Sequence, residues 1–147
     1  MRALLQRVTR AEVRVDERAV ASIGRGLLVF LGVGHEDDFA AADALARKVV
    51  ELRMFEDEAG RTNRSLADVG GEALVVSQFT LYADTSRGRR PGFTAAAPPD
   101  RAVELYRHFA AAIRAEGIRV QEGSFGATMA VELVNDGPFT LWLDTAR

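Results

Sequence analysis

Leu74-Val75-Val76-Ser77-Gln78-Phe79-Thr80-Leu81 is the stretch on which the reading of this chain turns. It opens as a buried strand, with Leu and two Val residues after the turn signal Gly70-Gly71. It then sets a hydroxyl, an amide, an aromatic ring and a second hydroxyl in succession. Packing gives a core strand no reason to end that way, since a buried polar group without a partner costs about 1–3 kcal/mol. Two readings stay open from these residues alone: a strand running out into solvent, or one wall of a site. In an extended chain Ser77, Phe79 and Leu81 face one way, and Gln78 and Thr80 the other. The two hydroxyls share a site only if the backbone bends near Gln78 or Phe79. Such a bend also turns backbone N–H groups out of the sheet, where they can serve as oxyanion donors.

The remaining sequence limits what that site can be. At 147 residues the chain fits one domain with a core that needs no staples. Its composition, 48% hydrophobic and 27% charged, is that of a soluble globular protein. Without cysteine there is no thiolate nucleophile, disulfide or Cys-based zinc site. Ala3-Leu4-Leu5 is too short for the roughly 7–15 apolar residues of a signal peptide. Residues 26–34 are about half a membrane span and carry three glycines, so they read as a central strand. A cytoplasmic location is the expectation. The formal net charge of −2 argues against coating nucleic acid by bulk attraction. Arg87, Arg89 and Arg90 nevertheless form a local basic patch beside Phe93.

Outward from the opening stretch, residues 4–8, 11–15, 19–23 and 26–33 read as strands, with a turn at Asp16-Glu17-Arg18. His35-Glu36-Asp37-Asp38 starts a helix over about residues 39–53, followed by a turn from Phe55 to Arg61. Residues 63–69 have room for a single helical turn beneath Ser65, Leu66 and Val69. Residues 83–99 form a long polar segment, of the kind that often carries function. Pro98-Pro99-Asp100 opens a second helix over about residues 99–116, with Gly117 as its stop. Its predicted core face is Val103, Tyr106, Ile113 and a neighbour among Phe109 and Ala110. Strands over 118–121, 128–134 and 139–143 complete the chain, the last two joined by a tight loop at Asn135-Asp136-Gly137-Pro138. This order predicts a single α+β domain over residues 1–147, with a largely antiparallel, barrel-like core and two main helices.

The candidate chemistry is sparse. A Ser or Thr nucleophile needs an activating base, and the two histidines, His35 and His108, sit in a loop and on a helix's polar side. They read as solvent-facing residues sooner than as members of a Ser-His-Asp triad. There is no HxxxH, no EF-hand loop and no phosphate-binding glycine loop. No metal and no cofactor is expected. Asp-Gly between apolar strands is a hairpin signal, but the following proline removes a ladder donor and spoils the usual two-residue turn. Arginines with an aromatic ring on one loop suit RNA, contacting phosphates and stacking on a base.

Together these residues resemble the D-aminoacyl-tRNA deacylases of the bacterial type. The resemblance runs the full length: Ala3-Leu4-Leu5-Gln6-Arg7-Val8-Thr9-Arg10-Ala11, Gly26-Leu27-Leu28-Val29, Val75 through Leu81, Arg90-Pro91-Gly92-Phe93, and Asn135-Asp136-Gly137-Pro138-Phe139-Thr140. Serine often precedes the loop phenylalanine in that family, where this chain has Gly92. The resemblance implies hydrolysis of the ester joining a D-amino acid to the terminal adenosine of tRNA. It implies Ser77, Gln78, Phe79 and Thr80 as the catalytic stretch, and Phe93, Met129, Gly137 and Pro138 as substrate-binding residues. It further implies a homodimer in which a cis Gly137-Pro138 pair reaches into the other subunit's site and excludes L side chains. A site that works by exclusion should also accept glycine, including glycine mischarged on tRNA(Ala). Thr80 as nucleophile and assistance from the tRNA 2′-OH both remain open. An esterase of small-molecule esters and a non-catalytic tRNA-binding module are the rival readings.

Overall fold

The computed structural model describes residues 1–146. Its spine is β1 (Arg2–Val15), a 14-residue strand that uses both of its edges. On one side β1 pairs antiparallel with β3 (Gly26–Gly32) and then with β2 (Arg18–Ile23). On the other it pairs antiparallel with β8 (Ala130–Asp144) from Arg2 to Arg14. Beyond β3 lie β6 (Glu72–Ser77) and β7 (Arg119–Glu122), both added in parallel. The six-stranded sheet is therefore mixed but largely antiparallel, and it curls into a nearly closed, barrel-like core. Among the described residues no helix is long and apolar enough to cross a membrane.

β3 lies at the centre because nearly every residue on both of its faces is apolar, as a strand covered on two sides requires. Leu27, Val29 and Leu31 point to a cluster shared with the helices, and Leu28 points to a second cluster with Val8, Val13, Leu74 and Val76. Gly26 opens the parallel ladder where β6 passes against the backbone. A Cβ there would lie 1.8 Å from the Glu72 carbonyl oxygen, so only glycine fits.

Helix α1 (Phe39–Glu51) starts at Asp38, whose carboxylate accepts from the Ala41 N–H at 2.8 Å. It stops two residues before the expected end, because Leu52 turns extended and leads into β4 (Arg53–Glu56). β4 pairs with β5 (Thr62–Ser65), a small hairpin where the sequence predicted a turn and a helical segment. Asp57 organises its loop by accepting from the N–H groups of Ala59 and Arg61. Only residues 66–70 form the expected turn.

Helix α2 (Pro99–Ala115) carries Pro99 in its first turn and buries Ala102, Leu105, Tyr106, Phe109, Ala110 and Ile113. Val103, expected on that face, is only half-buried, because the 3.6-residue period places Ala102 and Leu105 on the stripe instead. The buried Tyr106 hydroxyl donates to the Val75 carbonyl at 2.7 Å, tying α2 to β6. The tail corrects another expectation: residues 130–144 are one strand, not two joined by a turn. β1 is long enough to pair with residues 130–135 and 140–144 along its length, with register shifts on either side of Val8. The intervening residues bulge out opposite Arg7.

Candidate active site

β6 ends where the polar residues begin. Ser77 makes the last pairing with Leu31, and the Gln78 N–H donates to the Leu31 carbonyl at 2.8 Å. Gln78 then adopts φ −143° and ψ 77°, and the chain bends into a short 3-10 helix, Phe79–Tyr82. Within it the Leu81 N–H donates to the Gln78 carbonyl and the Ala83 N–H to the Thr80 carbonyl. The N–H groups of Phe79 and Thr80, which precede the first such bond, have no acceptor among the described residues. The Gln78 side-chain amide donates to the Thr80 hydroxyl.

Several contacts fix this turn from behind. The Arg2 guanidinium donates to the Leu81 carbonyl at 2.9 Å and lies 4.4 Å from the centre of the Tyr82 ring. Asp37 accepts from the Gly34 N–H at 2.6 Å and from the Tyr82 hydroxyl at 3.3 Å. Burial, then the Asp37 charge, raises the Tyr82 pKa above the ordinary tyrosine value, so Tyr82 stays a neutral donor. Gly34 admits the Tyr82 ring, since a Cβ would meet it at 2.9 Å.

The 83–98 segment returns across this turn, and two pairs of residues pin it down. Asp84 and Gly92 exchange both backbone hydrogen bonds, at 2.7 and 2.9 Å. A further bridge joins Gly34 to Ala96. Phe93 is thereby placed edge-on to Phe79, with ring centres 5.2 Å apart. Both rings line a cleft of about 630 Å³, together with Ser77, Gln78, Phe125, Met129 and smaller apolar side chains. No charged residue lines it among the described residues.

The structure thus gathers five of the eight residues singled out from the sequence: Ser77, Gln78, Phe79, Phe93 and Met129. Thr80 is exposed beside the cleft but does not line it. Gly137 and Pro138 lie on the β8 bulge, exposed, and do not line their own chain's cleft. The Gly137-Pro138 bond is cis, and Gly137 has φ 133°.

Arg7 holds that bulge, a role that went unread in the sequence. Its buried guanidinium donates to the Met54 carbonyl at 2.7 Å and to the Asp136 carbonyl at 3.1 Å, and it sits 4.8 Å from the centre of the Phe139 ring. The Asn135 side chain donates to the Arg7 and Phe139 carbonyls, bracing both ends of the protrusion. A signal was available: Arg7 continues the inward parity of Met1, Ala3 and Leu5, where a cation needs partners. Arg2, Asp37 and Phe125 were also missed, and none lies in a motif that announces them.

The histidines are engaged elsewhere. His35 Nε2 lies 2.7 Å from the Thr94 carbonyl oxygen, and His108 Nε2 lies 2.7 Å from an Asp43 carboxylate oxygen. Neither lines the cleft.

This architecture has known counterparts. A family profile described as D-Tyr-tRNA(Tyr) deacylase matches residues 4–144. A D-aminoacyl-tRNA deacylase of Thermomicrobium roseum is 62% identical over 147 residues, covering 100% of this chain and 96% of the relative. One of Thermotoga petrophila is 54% identical, covering 100% and 99%. Among solved structures, one titled c-Myc DNA Unwinding Element Binding Protein superposes with a TM-score of 0.92 at 40% identity, over 98% of both chains. A probable eukaryotic D-amino acid tRNA deacylase superposes with a TM-score of 0.84 at 20% identity, over 97% of both, and shares the fold. With its profile match spanning nearly the whole chain and relatives this similar at full length, the chain belongs to the D-Tyr-tRNA(Tyr) deacylase family.

Proposed function

We propose that this protein hydrolyses the ester between a D-amino acid and the 3′-terminal adenosine of tRNA, releasing the free amino acid and tRNA. The observation that carries the reading is the pair of N–H groups, Phe79 and Thr80, that have no partner among the described residues, where β6 bends at the rim of a cleft that those residues line without charge. Ser77, Gln78, Phe79 and Thr80 form the catalytic stretch. Water attacks the ester carbonyl, and the charge that develops on its oxygen is met by the two backbone donors. Collapse of the tetrahedral intermediate breaks the bond to the ribose oxygen. The proton lost by the attacking water ends on that oxygen, relayed by the neighbouring 2′-OH. No cofactor takes part, and this substrate places the protein in the cytoplasm. Phe93 stacks on the terminal adenine, and Met129 lines the floor.

The second half of the site comes from another copy of the chain. β8 presents 15 residues along an edge that, among the described residues, no strand of its own chain pairs, with Val134 and Trp142 exposed on it. Gly137 and Pro138 project from that strand and serve no cleft of their own chain. In the homodimer Gly137 and Pro138 of the partner subunit close the cleft, and their carbonyl groups occupy the space an L side chain would need.

Deacylation assays on glycyl-, D-tyrosyl- and L-tyrosyl-tRNA test this. The D-tyrosyl and glycyl esters will be cleaved and the L-tyrosyl ester spared, because exclusion of a side chain cannot reject a substrate without one. Glycine mischarged on tRNA(Ala) will be released too. An inert glycyl-tRNA would sink the exclusion reading, and an inert D-tyrosyl-tRNA the activity itself. Thr80→Ala will keep near-wild-type turnover, since among the described residues the hydrogen-bond partner of the Thr80 hydroxyl is the Gln78 amide, which is no base. A loss of several orders of magnitude would instead make Thr80 the nucleophile.

A further inference from the structure

We propose that the hairpin of residues 84–92 is a phosphate-gripping arm for the RNA whose 3′ end enters the cleft. The inference rests on the function proposed above and adds to it a contact surface outside the cleft. Arg87, Arg89 and Arg90 are all exposed on this hairpin. Among the described residues none of the three has a carboxylate within ion-pair distance; Arg18, Arg25, Arg47, Arg53, Arg61 and Arg107 share that lack, but only here do three such arginines fall within four consecutive residues. The one acid of the hairpin, Asp84, is already engaged. Its carboxylate accepts from the Ser86 N–H at 2.9 Å, and the Ser86 hydroxyl and N–H hold its pKa below the ordinary carboxylate value.

The arm is also placed correctly. The two backbone bonds between Asp84 and Gly92 fix its base, and the next residue, Phe93, lines the cleft against Phe79. Arg90 is three residues from Phe93, so at most about 10 Å of chain separates them. Among the described residues the cleft has no charged lining residue, so they offer a polyanion no counter-charge there. In a chain with net charge −2, binding of RNA must draw on a local cluster such as this one. Guanidinium groups grip phosphates with paired donors, and the hairpin uses arginine at all three positions.

The test compares two substrates, D-tyrosyl-tRNA and the D-tyrosyl ester of adenosine, with wild type and the triple variant Arg87→Gln, Arg89→Gln, Arg90→Gln. For tRNA, KM will rise about tenfold or more near 0.1 M salt, and the slope of log KM against log salt will fall by about 2–3, as loss of three phosphate contacts requires. For the adenosine ester, which carries no phosphate, kinetics will not respond to the substitutions. An unchanged KM and salt slope for tRNA would overturn the arm. A parallel loss on both substrates would also overturn it, showing that the hairpin acts through Phe93 on the cleft. If wild type cleaves neither substrate, the proposed function fails, and binding of uncharged tRNA then decides alone. Weaker, less salt-sensitive binding by the variant would uphold the arm, and equal binding would overturn it.

Discussion

Phe79→Pro will lower kcat for D-tyrosyl-tRNA by about 10²–10³-fold relative to Phe79→Ala, the usual cost of one oxyanion donor. Both substitutions remove the ring that packs on Phe93, so their difference isolates the N–H. Proline is tolerated here because Phe79 opens the 3-10 helix and its N–H holds no other part of the chain. The preceding residue, Gln78, is already outside the helical region that proline disfavours. Single-turnover deacylation gives the rates, and circular dichroism shows that both variants fold. Equal rates would remove the Phe79 amide from the mechanism.

Gly26→Ala will destabilise the whole domain by about 3 kcal/mol, the upper range for an added methyl group in a packed interior. The added carbon would lie 1.8 Å from the Glu72 carbonyl oxygen and 2.7 Å from its carbon and nitrogen, all backbone atoms that cannot swing aside. Relief means parting β3 from β6, the pairing that carries Ser77 to the cleft. At about 2–4 °C per kcal/mol for a chain of this size, thermal unfolding will begin roughly 6–12 °C lower. Gly92→Ala is the control, because nothing lies within 4 Å of its added carbon. A shift equal to the control's would mean that the strands tolerate the wedge.

The elements readable in advance were those whose signal is local. The all-apolar run of β3, the capping Asp38 of α1 and the prolines of α2 each act within a few residues, and these three elements lie close to where they were expected. Asn135-Asp136-Gly137-Pro138 shows the limit. Its local preference for a turn yields to β1, which pairs with both flanking segments at once, contacts more than 110 residues distant in sequence. The β4–β5 hairpin was hidden for a related reason: four-residue strands are too short to show a period. In the site, the bend at Gln78 was legible because alternating faces could not unite Ser77 with Thr80. The bend frees the amides, yet it leaves Thr80 outside the cleft. Phe125 reaches the cleft through tertiary packing alone, and nothing in its surrounding sequence marks it; Met129 was named by the family resemblance and by no local pattern.

The bulge on β8 has a consequence for anyone who would move it. Its form is written in Arg7 and in the carbonyl of Met54 as much as in residues 136–139. A tetrapeptide transplanted onto another scaffold would leave its instructions behind. Conversely, a repacking of the interior around Met54 is transmitted through one guanidinium to the molecular surface. Any redesign of this protrusion therefore has to begin in the core.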